Sequence, residues 1–214
     1  MSSAALAEAP IHTGSRSSRE ALLEAASNLM NEKESTEISL IEISQKARAN
    51  SALVKYHFGS KRGMFIALIE RDIGNSVEHL HELLDSDLSA TEKMRRHITG
   101  MVNLYFRYRY LNTLLLEILR ESTPEEAQEL SDRLIKPAAD AQRAILEQGL
   151  ASNEFREIEP MPFYLTIGRV ADVFFTAHFA LKTVYGYETI DNNLRRKLVD
   201  FICDFALQAI AAKR

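Results

Sequence analysis

The chain has 214 residues, enough to bury a sizeable core but too few for two large domains. A hydrophobic share of 46% and a charged share of 26% exclude a globally disordered protein. A net charge of −4 excludes a protein that coats nucleic acid over its whole surface.

In chain order, residues 1–17 lack the basic start and apolar run of a secretion signal and read as a flexible tail. Arg16 and Arg19, at its junction with the first helix, are candidates for an arm in a minor groove. Gly and Pro are scarce while Ala, Leu, Glu and Arg are plentiful, so helices dominate the expectation. Periodicity and punctuation predict helices over 18–33, 40–47, 51–58, 61–85, 91–108, 110–121, 124–149, 161–185 and 191–212. Ser17 with Glu20, Ser39 with Glu42 and Ser89 with Glu92 have capping-box spacing, and Thr123 precedes Pro124 as a helix start. Asn50 and Ser60 are further candidate caps. The densest apolar run, LLLEIL at 114–119, is interrupted by charge, so no membrane span is expected. With the lone Cys203, the chain suits a reducing cytoplasm.

Three short helices followed by long ones predict an all-α protein with a three-helix head over 18–65 and a helical bundle over 66–214. Within the head, Leu40, Ile43 and Ala47 make one buried stripe, and Arg48-Ala49-Asn50 forms a tight turn. A helix from Ser51 follows, with Val54 and Phe58 inward. Two short helices so joined make a helix-turn-helix, whose second helix enters a major groove.

Between Glu42 and Glu70 there is no carboxylate, yet Lys46, Arg48, Lys55, Lys61 and Arg62 all fall there. The candidate nucleic-acid surface is Ser39, Asn50, Ser51, Ala52, Lys55, Tyr56, His57 and Lys61. Small residues at the helix start let the backbone approach a duplex, and Lys55 can donate to guanine or to phosphate. Tyr56 and His57 can reach phosphate oxygens, and Lys61 reinforces the free N–H groups after Gly59-Ser60. The competing reading is a solvated cationic face, with Tyr56 as a core aromatic.

The stretch SALVKYHFGSKRGMF, with Ala47, Ala49 and Asn50 before it, resembles the recognition helix and following turn of the TetR family of bacterial transcriptional regulators. Matching positions include Val54, Tyr56 or His57, Phe58, Gly59, Ser60, Lys61 and Phe65. Arg48 stands where the family usually has glycine, and Lys55 where an aromatic is common. In the C-terminal part, Asn153 occupies the place of a frequent glycine. The resemblance implies a homodimer on a palindromic double-stranded DNA operator, with a C-terminal ligand-binding and dimerisation domain. It also implies a small-molecule effector that changes the spacing of the two recognition helices; the sequence itself calls for no cofactor or metal.

Aromatic residues crowd the C-terminal half. Tyr105, Phe106, Tyr110, Phe163 and Phe175, with Arg169 and His178, are candidates for lining an effector pocket, which would favour an apolar or aromatic ligand. The same residues also read as ordinary core. The last two predicted helices, 161–185 and 191–212, are too apolar for water on any wide face and read as the dimer interface. Two other classes compete. A helical interaction bundle without DNA binding would follow if Arg48 deforms the turn. An α-helical enzyme would need His178, Asp172 and Cys203 to assemble, but no nucleophile turn, HExxH, CxxC or phosphate loop is present. The chain therefore reads as a non-enzyme.

Overall fold

The computed structural model describes residues 17–212, without the side chains of Asn75 and His178, so the expected tail up to and including Arg16 lies outside the described residues. Its helices are α1 (Ser18–Lys33), α2 (Leu40–Ala47), α3 (Ala52–Phe58), α4 (Lys61–Asp85), α5 (Ala90–Arg107) and α6 (Leu111–Arg120). They continue as α7 (Pro124–Leu134), α8 (Lys136–Ala151), α9 (Pro160–Thr176), α10 (His178–Tyr185) and α11 (Asn192–Ile210). Phe155 and Ala211 form an isolated antiparallel bridge.

Two expected helices are each broken in two. The stretch over 124–149 stops at Leu134 and restarts at Lys136, because Pro137 offers no N–H and crowds the preceding turn. The stretch over 161–185 breaks at Ala177 (φ −89°, ψ 33°). Just before it, the Thr176 hydroxyl donates to the carbonyls of Asp172 (3.3 Å) and Val173 (3.4 Å) and competes with the helical ladder.

Helix starts follow the punctuation. Ser39 and Glu42 close a capping box in both directions, as do Thr123 and Glu126. Ser17, Ser60 and Ser89 each accept a backbone N–H from the first turn. Asn50 works one step earlier. Its Oδ1 accepts from Ala52 N at 2.8 Å and fixes the turn ahead of α3.

Two cores result. Leu22, Leu23, Met30, Ile43, Val54, Met64 and Leu68 join α1–α4, and Tyr110, Leu114, Ile118 and Leu130 extend the same cluster into α6 and α7. The head is therefore packed on part of the bundle. Met94, Ile98, Ile145, Ile167, Ile202 and Ala206 make the second core between α5, α8, α9 and α11. Each buried aliphatic side chain contributes roughly 1.5–3 kcal/mol. The long α4 carries the chain from one core to the other.

Candidate nucleic-acid interface and internal cavity

Ile43 on α2 and Val54 on α3 are buried against α1, which fixes how α3 sits. The opposite side presents Asn50, Ser51, Ala52 and Lys55, all exposed. Tyr56 is 80% exposed, so it belongs to this surface and not to the core. Among the described residues Lys55 makes no ion pair, whereas Lys46 is paired with Glu32 and Lys33 with Glu42. Lys61 sits at the start of α4 with its ammonium 5.2 Å from the centre of the Phe65 ring.

Two expected surface groups are engaged elsewhere. The Ser39 hydroxyl is held by Glu42 in the capping box. His57 is half-buried, and its Nε2 lies 2.7 Å from Ser18 Oγ, tying α3 to α1. Arg48 has φ 52° and ψ 41°, the left-handed conformation that glycine takes without strain. The turn keeps its helix-turn-helix geometry with arginine in place.

Arg62 turns away from the exposed face. Its Nη2 donates to Ser122 Oγ at 2.5 Å and reaches Glu126 at 3.5 Å, joining the start of α4 to the turn between α6 and α7. Behind the head, the Tyr110 phenol donates to the buried Asp72 carboxylate and lies 2.9 Å from the Ser27 hydroxyl. Arg71 Nε donates to the same carboxylate at 2.8 Å. Asn31 accepts from Arg109 N at 3.2 Å and donates to the Arg107 carbonyl at 3.1 Å. Polar contacts thus tie α1 and α4 to the turn between α5 and α6.

On either side of that turn, Tyr105 and Leu111 line a cavity of about 940 Å³ that opens to the surface between α4, α5, α6, α8 and α9 and the end of α7. Leu80, Leu83, Leu115, Leu119 and Ile135 make most of its wall aliphatic. Polar and charged side chains also border it, among them His97, Tyr105, Asn112, Tyr164 and Arg169. Burial pushes the Tyr105 and Tyr164 hydroxyls above the ordinary tyrosine range, so both stay neutral. Asn112 donates to the buried Asp172 carboxylate at 2.9 Å, and Arg169 reaches it at 3.4 Å. Burial raises the Asp172 carboxyl above its usual range.

Of the expected pocket residues, Tyr105 and Arg169 line this cavity. Phe106 and Phe175 instead pack edge to face at 6.2 Å, with the Arg195 guanidinium 5.3 Å from the centre of the Phe106 ring. Phe163 packs against the second core, and Tyr110 belongs to the polar junction just described. The His178 side chain lies outside the described residues. The sequence reading missed His97 and Asn112, and it counted Tyr164 among the C-terminal aromatics without selecting it for the pocket. His97 carried a usable signal, since it shares the apolar face of α5 with Met94, Ile98 and Met101. Cys203 is buried, which raises its thiol pKa and suits an inert core residue.

Residues 87–214 match the model of the tetracyclin repressor-like C-terminal domain. The chain belongs to the TetR family. It is a TetR-family transcriptional regulator with an all-helical fold. It is 25% identical over 195 residues to the HTH-type transcriptional repressor NicS of Pseudomonas putida, covering 90% of this chain and 92% of that one. Its fold is similar to a tetR-family regulatory protein from Rhodococcus RHA1, with a TM-score of 0.73 at 14% identity over 94% of this chain and 100% of that one. It is also similar to FadR of Bacillus subtilis, solved in complex with stearoyl-CoA, with a TM-score of 0.67 at 18% identity over 89% and 98% of the two chains. Among the described residues, no helix is long and apolar enough to cross a membrane.

Proposed function

We propose that this TetR-family chain is a homodimeric repressor that grips a palindromic operator through α3 and lets go when a small, chiefly apolar effector fills the cavity. The observation that carries the reading is the exposed, carboxylate-free face of Asn50, Ser51, Ala52, Lys55 and Tyr56, continued by Lys61 at the start of α4. Lys55 is assigned to base edges. Tyr56 and Lys61 are assigned to phosphate, where they set register.

Repression is favoured by the likeness to the NicS repressor, and an apolar effector by the aliphatic wall. The stearoyl-CoA complex of FadR has the same direction, since that ligand carries a long apolar acyl chain and the fold is similar. The dimer surface assigned here runs along α9, α10 and α11, where Met161, Val173, Phe179, Val184, Phe201 and Phe205 are exposed. Two-fold pairing there would set the spacing of two recognition helices and so require a palindrome.

Binding of a selected duplex, followed by fluorescence anisotropy across a salt series, tests the surface. Lys61→Ala is expected to weaken binding to every sequence and to flatten the slope of log K against log salt by about one. Lys55→Ala should change which bases are preferred. If Lys55→Ala leaves both affinity and preference as they were, the recognition face has been misplaced.

A further inference from the structure

His97 is a buried polar residue of the cavity wall. It lies on α5 between Met94 and Ile98, is 4% exposed, and borders the cavity. Neither ring nitrogen makes a well-aligned hydrogen bond among the described residues, and the one polar group in reach of the ring is the Gln142 amide. Gln142 on α8 stands against it, wholly buried, and neither atom of its amide makes a well-aligned hydrogen bond. Leaving buried donors and acceptors unmatched costs about 1–3 kcal/mol each. Even one contact between the two side chains would leave a ring nitrogen of His97 at the cavity wall, and an amide atom of Gln142 behind it, unmatched, an expense that core packing does not require.

The charge environment narrows what can sit there. Burial lowers the imidazole pKa to about 4, and Gln142 is the one polar neighbour that opposes the shift. The ring is therefore neutral near pH 7, with one nitrogen donating and the other accepting. The nearby Lys93 ammonium donates to the Leu84 carbonyl at 2.7 Å and does not border the cavity. Arg95 is committed to Asp204, and Arg96 to Glu92. Arg169, the third guanidinium at the cavity, is paired with Asp172, so an anionic head beside His97 would be desolvated without a free counter-charge, and so would a cationic one.

Resting on the reading of the cavity as the effector chamber, we infer that His97, with Gln142 behind it, anchors an effector through one uncharged group that both donates and accepts a hydrogen bond. The effector class is a chiefly apolar molecule bearing a hydroxyl or primary amide. Its apolar part runs along Leu80, Leu83 and Leu115, where size and shape govern fit. The polar group supplies orientation.

Calorimetric titration of the full chain with 1-decanol, decanoate and 1-fluorodecane tests this, in the wild type and in His97→Leu. The wild type should prefer 1-decanol by about tenfold or more over both others, as expected for one net hydrogen bond to a buried group. In His97→Leu the preference for 1-decanol over 1-fluorodecane should collapse to about equal affinity. The same variant should melt at a higher temperature than wild type when no probe is present, because it removes an unmatched buried nitrogen. A His97 that merely braced the fold would give the opposite shift.

Equal affinity of the wild type for 1-decanol and 1-fluorodecane would overturn the inference while leaving the chamber intact. So would a preference that survives in His97→Leu, or tighter binding of decanoate. Failure of all three probes to bind would overturn both the inference and the chamber. His97→Asn, which keeps a donor and an acceptor, should retain part of the preference. It guards against a defect peculiar to leucine at this position.

Discussion

Arg48 shows what one residue contributes and what it costs. Its left-handed backbone lets the Arg48 and Ala49 N–H groups close the end of α2 onto Gln45 and Ser44, and the chain then turns directly into α3. A residue with a Cβ is strained there by about 1–2 kcal/mol. Arg48→Gly should relieve part of that strain and raise the melting temperature by roughly 2–4 °C per kcal/mol gained. Scanning fluorimetry checks it, and an unchanged or lower midpoint would mean that the arginine side chain repays its own strain. Asn153 meets the same demand with φ 58° at less cost, because asparagine tolerates that region better than most side chains. Both departures from the family pattern were legible as residues. That each keeps the glycine-like conformation was not, since a backbone angle depends on the hydrogen bonds around it. The same limit explains His57 and Tyr110. Their types were visible, but their bonds to Ser18 and Asp72 cross 39 and 38 residues of sequence.

Among the elements, caps were the most legible feature because they are local. Ser39 with Glu42 and Thr123 with Glu126 close as their spacing suggests. A cap donated from a distance was not legible. Glu154 accepts from Ala90 N at 3.1 Å, Thr91 N at 2.9 Å and Ser152 Oγ at 2.8 Å, holding the start of α5 from the far end of α8. Burial works against its charge, but these hydrogen bonds prevail and lower its pKa from 4.5 to about 2. A carboxylate so depressed stabilises the fold above pH 4.5, and that stabilisation is lost as pH falls towards 2. Glu154→Gln should therefore lower stability at neutral pH and flatten its decline between pH 4.5 and 2, measured by urea unfolding at a series of pH values. A decline as steep as in the wild type would place the acid sensitivity elsewhere. The exposed apolar face of α9–α11 is the other property of whole elements. Phe201 and Phe205 stack at 6.4 Å on the outside of α11. In the proposed dimer each protomer would bury its own pair, roughly 1.5–3 kcal/mol per ring. Phe201→Glu should give a folded monomer by light scattering with unchanged helical content by circular dichroism. A persistent dimer would move the interface off this face.

At the scale of the molecule, the sequence made the order of parts readable: a short-helix head, a long connecting helix and a bundle. It did not reveal that α6 and α7 complete the head's core, because that packing joins Leu22 and Met64 to Ile118 and Leu130 across most of the chain. The cavity was hidden for a related reason. Aromatic abundance pointed to Phe106, Phe163 and Phe175, yet flat rings filled the second core and leucines were left to line the chamber. The junction residues sit between that chamber and the head. Tyr110 precedes the cavity residues Leu111 and Asn112, and Arg62 ties α4 to the α6–α7 turn. An effector that shifts α6 would therefore pull on the element carrying the recognition helix, and this gives the proposed release a physical route.

The central claim is that this acidic chain reads DNA as a two-fold dimer. Selection of bound fragments from random duplexes with the purified protein, at low and at near-physiological salt, tests it most directly. The account predicts enrichment of one palindrome, with binding that weakens as salt rises. Tight binding without any enriched sequence, or no binding at low salt even after unfolding and refolding to strip a carried-over ligand, would contradict it.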